Sequence, residues 1–143
     1  MNAFDIKNRE EPMNTREFSP CFVTKNVDAC RDFYQRHFSA KAIFDCGWYL
    51  NLRIAGDGAS IQFMQPKEGI AEYRAEGVML NLRVEDVDAE HARLLGEGVK
   101  PAMPLEDHPW GDRGFSIIDP IGTSLYIYSD REPSNEFRQY FTF

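Results

Sequence analysis

The residues of this chain that could do chemistry are few in kind and largely aromatic. There are three histidines among 143 residues. His37 and His91 fall within stretches of helical periodicity, where a structural role is the ordinary reading. His108 precedes Pro109-Trp110 in a stretch read as a loop, with Glu106 and Asp107 beside it. Imidazole and carboxylate are what a divalent ion or a proton transfer asks for. Three neighbours on one loop rarely converge on one ion, so a metal site there is the poorer reading. His108 is a candidate ligand contact instead, with a plain structural role equally open. No serine–histidine–acid order, phosphate-cradling glycine loop or paired-carboxylate signature stands out.

The aromatic residues carry a stronger signal. Phe22, Phe44, Trp48, Phe63, Trp110, Phe115, Tyr126 and Tyr128 exceed what one small core requires. Packing of helices against the sheet accounts for Phe63 and is open to the others. Those it does not use are candidates to wall a binding surface, where stacking supplies area and tyrosine hydroxyls supply polar anchors. The formal charge is −7, from 16 basic and 23 acidic residues. That balance argues against nucleic acid and anionic membranes and modestly favours a cationic partner. Cys21, Cys30 and Cys46 are odd in number and form no C-x-x-C pair, so reduced thiols with at least two as core filler are expected. The N-terminal stretch has no apolar signal core and no run is long enough to span a bilayer, which together predict a cytoplasmic protein.

The elements that must position these groups follow a repeating order. Residues 1–16 are polar and read as an arm. A strand over 18–24 leads to Asn26, a helix cap, and to the stripe Val27, Cys30, Phe33, Tyr34 and Phe38. Strands follow over 42–46, 48–54 and 59–65, with Gly47 and Gly56-Asp57-Gly58 as punctuation. Residues 67–77 read as a linker with a helical turn. The order then returns: a strand over 78–84, Asp86 capping a helix closed by Gly96 and Gly98, and strands over 102–105, 114–118 and 124–128. Asp119-Pro120-Ile121-Gly122 is a hairpin turn, with Pro120 presetting φ and Gly122 free to take a positive φ. The tail, 131–143, is rich in aromatic residues and is expected to dock on the domain or on a partner subunit.

Two segments verify the repeat residue by residue. Thr24-Lys25-Asn26-Val27-Asp28-Ala29 parallels Val84-Glu85-Asp86-Val87-Asp88-Ala89. Gly58-Ala59-Ser60-Ile61-Gln62 parallels Gly122-Thr123-Ser124-Leu125-Tyr126. Two copies of one supersecondary unit follow, at 17–66 and 78–130, in one domain.

On these residues the chain resembles the vicinal oxygen chelate superfamily, which includes glyoxalase I, extradiol dioxygenases and bleomycin-resistance proteins. Asn26-Val27-Asp28 through Phe33-Tyr34 is similar to that family's strand-to-helix motif. Pro109-Trp110-Gly111, Arg113, Phe115 and Asp119-Pro120 with Gly122 are especially like the bleomycin-resistance branch. The resemblance implies an α+β fold. Two βαβββ modules would form a curved, cup-shaped mixed sheet with helices on its outer face, usually completed in a homodimer. It also implies a divalent metal in the family's enzymes, held at positions that correspond here to Ser19, Gln62, Met79 and Tyr126.

Those four residues depart from the enzymes. A hydroxyl, a thioether and a protonated phenol are poor ligands for a hard or borderline ion, and only Gln62 keeps the enzyme-like chemistry. No metal and no cofactor are therefore expected. Alternation places Met64 beside Gln62 and Tyr128 beside Tyr126 on the inner face. A site of Ser19, Gln62, Met64, Met79, His108, Trp110, Tyr126 and Tyr128 would then hold a small aromatic or cationic molecule. Metal-independent sequestration is the leading expectation, a metal-dependent lyase, isomerase or dioxygenase with altered ligands the alternative. A module whose cup is filled by its own side chains is a third reading.

Overall fold

The computed structural model describes residues 12–56 and 58–142. Most of the expected arm, Asp57 of the glycine turn and Phe143 lie outside the described residues.

The first unit runs β1 (Cys21–Val23), α1 (Val27–Phe38), β2 (Lys41–Asp45), β3 (Tyr49–Ala55) and β4 (Ala59–Met64). The second runs β5 (Met79–Arg83), α2 (Val87–Gly96), β6 (Met103–His108), β7 (Asp112–Ile118) and β8 (Ser124–Asp130), followed by the short α3 (Asn135–Arg138). Each unit forms a four-stranded mixed sheet, ordered β1-β4-β3-β2 and β5-β8-β7-β6. β1 lies parallel to β4, with Cys21 opposite Gln62. β5 lies parallel to β8, with Asn81 opposite Tyr126. The expected α+β architecture of two βαβββ modules is the one observed.

The helices cover one face of each sheet because each presents an apolar stripe. Val27, Cys30 and Tyr34 of α1 are buried in one cluster with Leu50, Leu52, Ile61 and Phe63. Val87 and Leu94 of α2 are buried in that cluster with Phe115, Ile117, Leu125 and Ile127. Period-2 alternation then sends Gln62, Met64, Tyr126 and Tyr128 to the opposite, open faces.

A buried carboxylate ties the units together. The Tyr34 hydroxyl donates to Asp119 Oδ2 at 2.6 Å. Asp119 Oδ1 accepts from the amides of Ile121 and Thr123 at 3.0 and 2.8 Å, which fixes the Pro120–Gly122 turn. Burial, and secondarily the Asp119 charge, push the neighbouring Cys30 thiol up to about 12. At the end of α1 the buried His37 meets Glu97 through Nδ1 at 2.7 Å, and Arg93 donates to the His37 carbonyl at 2.8 Å.

Local expectations needed correction in four places. The first strand pairs only over Cys21–Val23, since Pro20 has no N–H to offer the ladder. The Asn26 side chain makes no cap bond; the Thr24 hydroxyl accepts from the Asn26 amide at 3.0 Å instead. Asp86 does cap its helix, accepting from the Ala89 amide at 3.0 Å. The linker holds no helical turn: Lys67–Ile70 and Ala75–Val78 close as isolated tight turns. Of the cysteines only Cys30 is buried, while Cys21 and Cys46 are exposed. Cys21 adjoins the buried Phe22, so alternation turns it to the open face.

Candidate functional site

The site is built around the hairpin that joins β6 to β7. His108 is the last residue of β6 rather than part of a loop, because its backbone pairs with Asp112. Only Pro109, Trp110 and Gly111 are left to turn the chain. The Gly111 amide donates to the His108 carbonyl at 3.1 Å. Gly111 has φ of 116°, and a Cβ there would stand 3.1 Å from the Arg131 carbonyl oxygen. A side chain is thus excluded both by conformation and by the returning chain.

Asp112 gathers the polar groups of this hairpin. Its Oδ1 receives the Tyr126 hydroxyl at 2.8 Å and pairs with His108 Nδ1 at 2.7 Å. Its Oδ2 receives the Trp110 indole N–H at 2.9 Å. His108 and Trp110 stack, with centroids 4.4 Å apart and planes 3° from parallel. Tyr126 and Tyr128 stack at 5.6 Å and 17°. Burial, followed by the hydrogen bond and charge of Asp112, holds the Tyr126 phenol well above the ordinary tyrosine range. It therefore stays protonated and donates.

These groups border an open concavity of about 430 Å³, within the usual range of small-molecule sites. Met79, Trp110, Tyr126 and Tyr128, all expected from the sequence, line it. Asn81, Met103 and Asp112 line it too and were not foreseen. His108 stands behind Trp110 rather than in the lining. Asp112 and Arg113 are neighbours of opposite charge in the sequence, yet they do not pair. Adjacent strand residues face opposite sides: Arg113 turns out to Asp88 and Asp107 at 3.0 and 3.4 Å, while Asp112 turns in. The usable signal was the alternation Asp112, Gly114, Ser116 against the core residues Phe115 and Ile117.

Ser19, Gln62 and Met64 are not brought to this concavity; no side chain of the first sheet lines it. Gln62 Nε2 donates to Ser19 Oγ at 2.7 Å and to Ser60 Oγ at 3.4 Å. Ser60 in turn donates to Glu17 at 2.9 Å. Asn51, opposite Gln62 in the ladder, holds a buried Oδ1 with no hydrogen-bond partner. These residues form a separate polar patch on the open face of the first sheet.

The donor set does not fit the metal that the fold suggests. Tyr126 offers a protonated phenol already bonded to Asp112, Met79 a thioether, and Gln62 and Ser19 are bonded to each other. The residues flanking His108 do not rescue a site. Asp112 approaches Nδ1 and Glu106 approaches Nε2 at 3.6 Å, so they sit on opposite sides of the ring, and Asp107 faces arginines. Among the described residues no group of three or more His, Cys, Asp or Glu side chains could hold an ion. Nor, among them, is any helix long and apolar enough to cross a membrane.

Comparison with known proteins bears on the fold and on the family. Over 45 residues the chain is 44% identical to an uncharacterized protein of Mycobacterium bovis, a stretch covering 32% of this chain and 30% of that relative. A glyoxalase/bleomycin resistance protein/dioxygenase from Nocardioides shares the fold, with a TM-score of 0.72 at 18% identity over 90% of this chain and 91% of that one. TnmS3, an antibiotic binding protein from a Streptomyces species, superposes with a TM-score of 0.69 at 21% identity over 84% and 99%. At such identities the likeness speaks to the fold alone. Residues 19–126 match the sequence profile of one family, and the chain belongs to that family, the glyoxalase/bleomycin resistance protein/dioxygenase superfamily.

Proposed function

We infer that this protein binds and sequesters a small aromatic or cationic molecule without the help of a metal, in the cytoplasm and as a homodimer. One observation carries the reading. The concavity of the second sheet is walled by Trp110, Tyr126, Tyr128, Met79 and Met103, a surface made for contact area rather than for bond-breaking. Its strongest polar groups, on Tyr126, His108, Trp110 and Asp112, are bonded to one another, and stoichiometric trapping needs no nucleophile and no base. The antibiotic-binding activity named for TnmS3 is consistent with this use of the fold.

The homodimer is supported by half-exposed apolar side chains on both units. Phe44 and Trp48 of the first, and Met79 and Trp110 of the second, are between 47 and 54% exposed. A second copy would cover them and could bring the Ser19–Gln62–Met64 patch of one protomer over the aromatic concavity of its partner.

Native mass spectrometry of untagged protein purified without chelator tests the proposal. A metal-free dimer carrying a small organic mass is the expected result. A dimer retaining a stoichiometric divalent ion would replace it with the competing reading, a metal-dependent lyase, isomerase or dioxygenase. Activity lost to a chelator and restored by an ion would do the same.

A further inference from the structure

We propose that Asp112 is the specificity-determining residue of this concavity, selecting planar aromatic molecules that carry positive charge and rejecting aromatic anions. The inference rests on the small-molecule reading above and narrows it to one ligand class.

The argument is one of charge and hydrogen bonds. Asp112 is 9% exposed and, among the described residues, is the one formally charged group in the lining. Three neighbouring donors are turned onto it, from Tyr126, Trp110 and His108. Their protons are thereby withdrawn from the cavity. Trp110 is left to present π surface, and Tyr126 to present π surface and oxygen lone pairs. The Asn81 amide and the Tyr128 hydroxyl remain as neutral, adaptable groups. Among the described residues no arginine or lysine lines the concavity to receive an anion.

Nor does His108 cancel the negative charge. Asp112 flanks its Nδ1 at 2.7 Å and Glu106 its Nε2 at 3.6 Å. Two carboxylates about one imidazole leave a negative sum in either protonation state of the ring. The nearby Arg113 and Arg131 are already matched by Asp88 and Asp107. A cation seated on the aromatic wall gains attraction both from the ring faces and from the buried carboxylate, whereas an anion meets a like charge with only the neutral donors of Asn81 and Tyr128 to offset it.

Two tricyclic probes of similar shape and opposite charge decide the matter: proflavine, a planar cation bearing N–H donors, and anthracene-2-carboxylate. Isothermal titration calorimetry on the full chain should give proflavine at least a tenfold lower Kd. Asp112→Asn keeps the side-chain shape and removes the charge, and should bring that ratio below threefold. Tyr126→Phe keeps the ring but frees a carboxylate lone pair, so the advantage of proflavine should widen about threefold. This variant remains decisive if Asp112→Asn does not fold. Equal binding of both probes by the native protein, an undiminished ratio in Asp112→Asn, or an unwidened one in Tyr126→Phe would overturn the proposal. Equal binding would leave the sequestration reading standing. Binding of neither probe would count against both.

Discussion

Tyr126 crosses directly over Gly114. A Cβ built at 114 would stand 2.5 Å from both Cζ and the hydroxyl oxygen of Tyr126, and 2.9 Å from the Ile127 carbonyl oxygen. The missing side chain on β7 is what lets the phenol reach across its neighbouring strand to Asp112. A glycine within a strand often marks such a close approach.

Gly114→Ala should therefore displace the Tyr126 ring and break its bond to Asp112. Overpacking of this kind costs roughly 1–3 kcal/mol. Thermal unfolding should register the loss, and near-ultraviolet circular dichroism should show the altered tyrosine environment. An unchanged melting temperature and spectrum would mean that the ring does not lie where the structure places it.

Tyr126→Ala removes the centre of the aromatic wall. Affinity for a bound aromatic ligand should fall at least about tenfold, or 1.4 kcal/mol, with the far-ultraviolet spectrum preserved. Titration of Trp110 fluorescence measures this, and an unaltered Kd would remove Tyr126 from the site.

Asp119→Ala tests the tie between the units. It leaves the Tyr34 hydroxyl and the amides of Ile121 and Thr123 without their acceptor. Each orphaned buried donor costs about 1–3 kcal/mol, so a loss of about 3 kcal/mol or more is expected by urea denaturation. A loss under about 1 kcal/mol would show that water reaches those groups.

Stability should decline at high pH in a way that depends on Tyr34. Burial, then the charge and hydrogen bond of Asp119, raise its folded-state value far above that of an unfolded tyrosine, which is about 10. The protonated phenol is thus the form the fold prefers. Its contribution is full below pH of about 10 and is lost as pH rises further, where the unfolded chain ionises and the folded one does not. Between pH 9 and 11, Tyr34→Phe should show a shallower loss of stability than the native protein. Parallel curves would refute this.

Ser39 closes α1 with φ of 52°, a conformation that costs a residue bearing a Cβ. Ser39→Gly should raise stability by about 0.5–1 kcal/mol. Differential scanning calorimetry would detect the gain, and a fall in melting temperature would mean the serine side chain holds the cap in some other way.

The residue pattern carried the fold and, with the family resemblance, four of the seven residues that line the concavity. Helical stripes such as Val27, Cys30 and Tyr34, the turn Asp119–Gly122 and the repeated strand-to-helix junctions are local signals, each written within one or two turns of chain. The family resemblance set Tyr126 and Met79 on the open face, and alternation along the strand then carried Tyr128 there with Tyr126. Whatever depends on register between strands was decided only in three dimensions. The pairing of His108 with Asp112 drew His108 out of a supposed loop, placed it behind Trp110, and made Asp112 the buried acceptor on which three neighbouring side chains converge. The separation of Ser19, Gln62 and Met64 from the aromatic wall is of the same kind. Alternation says which face a side chain takes, but not which sheet that face will meet, because that is set by packing between units far apart in the chain.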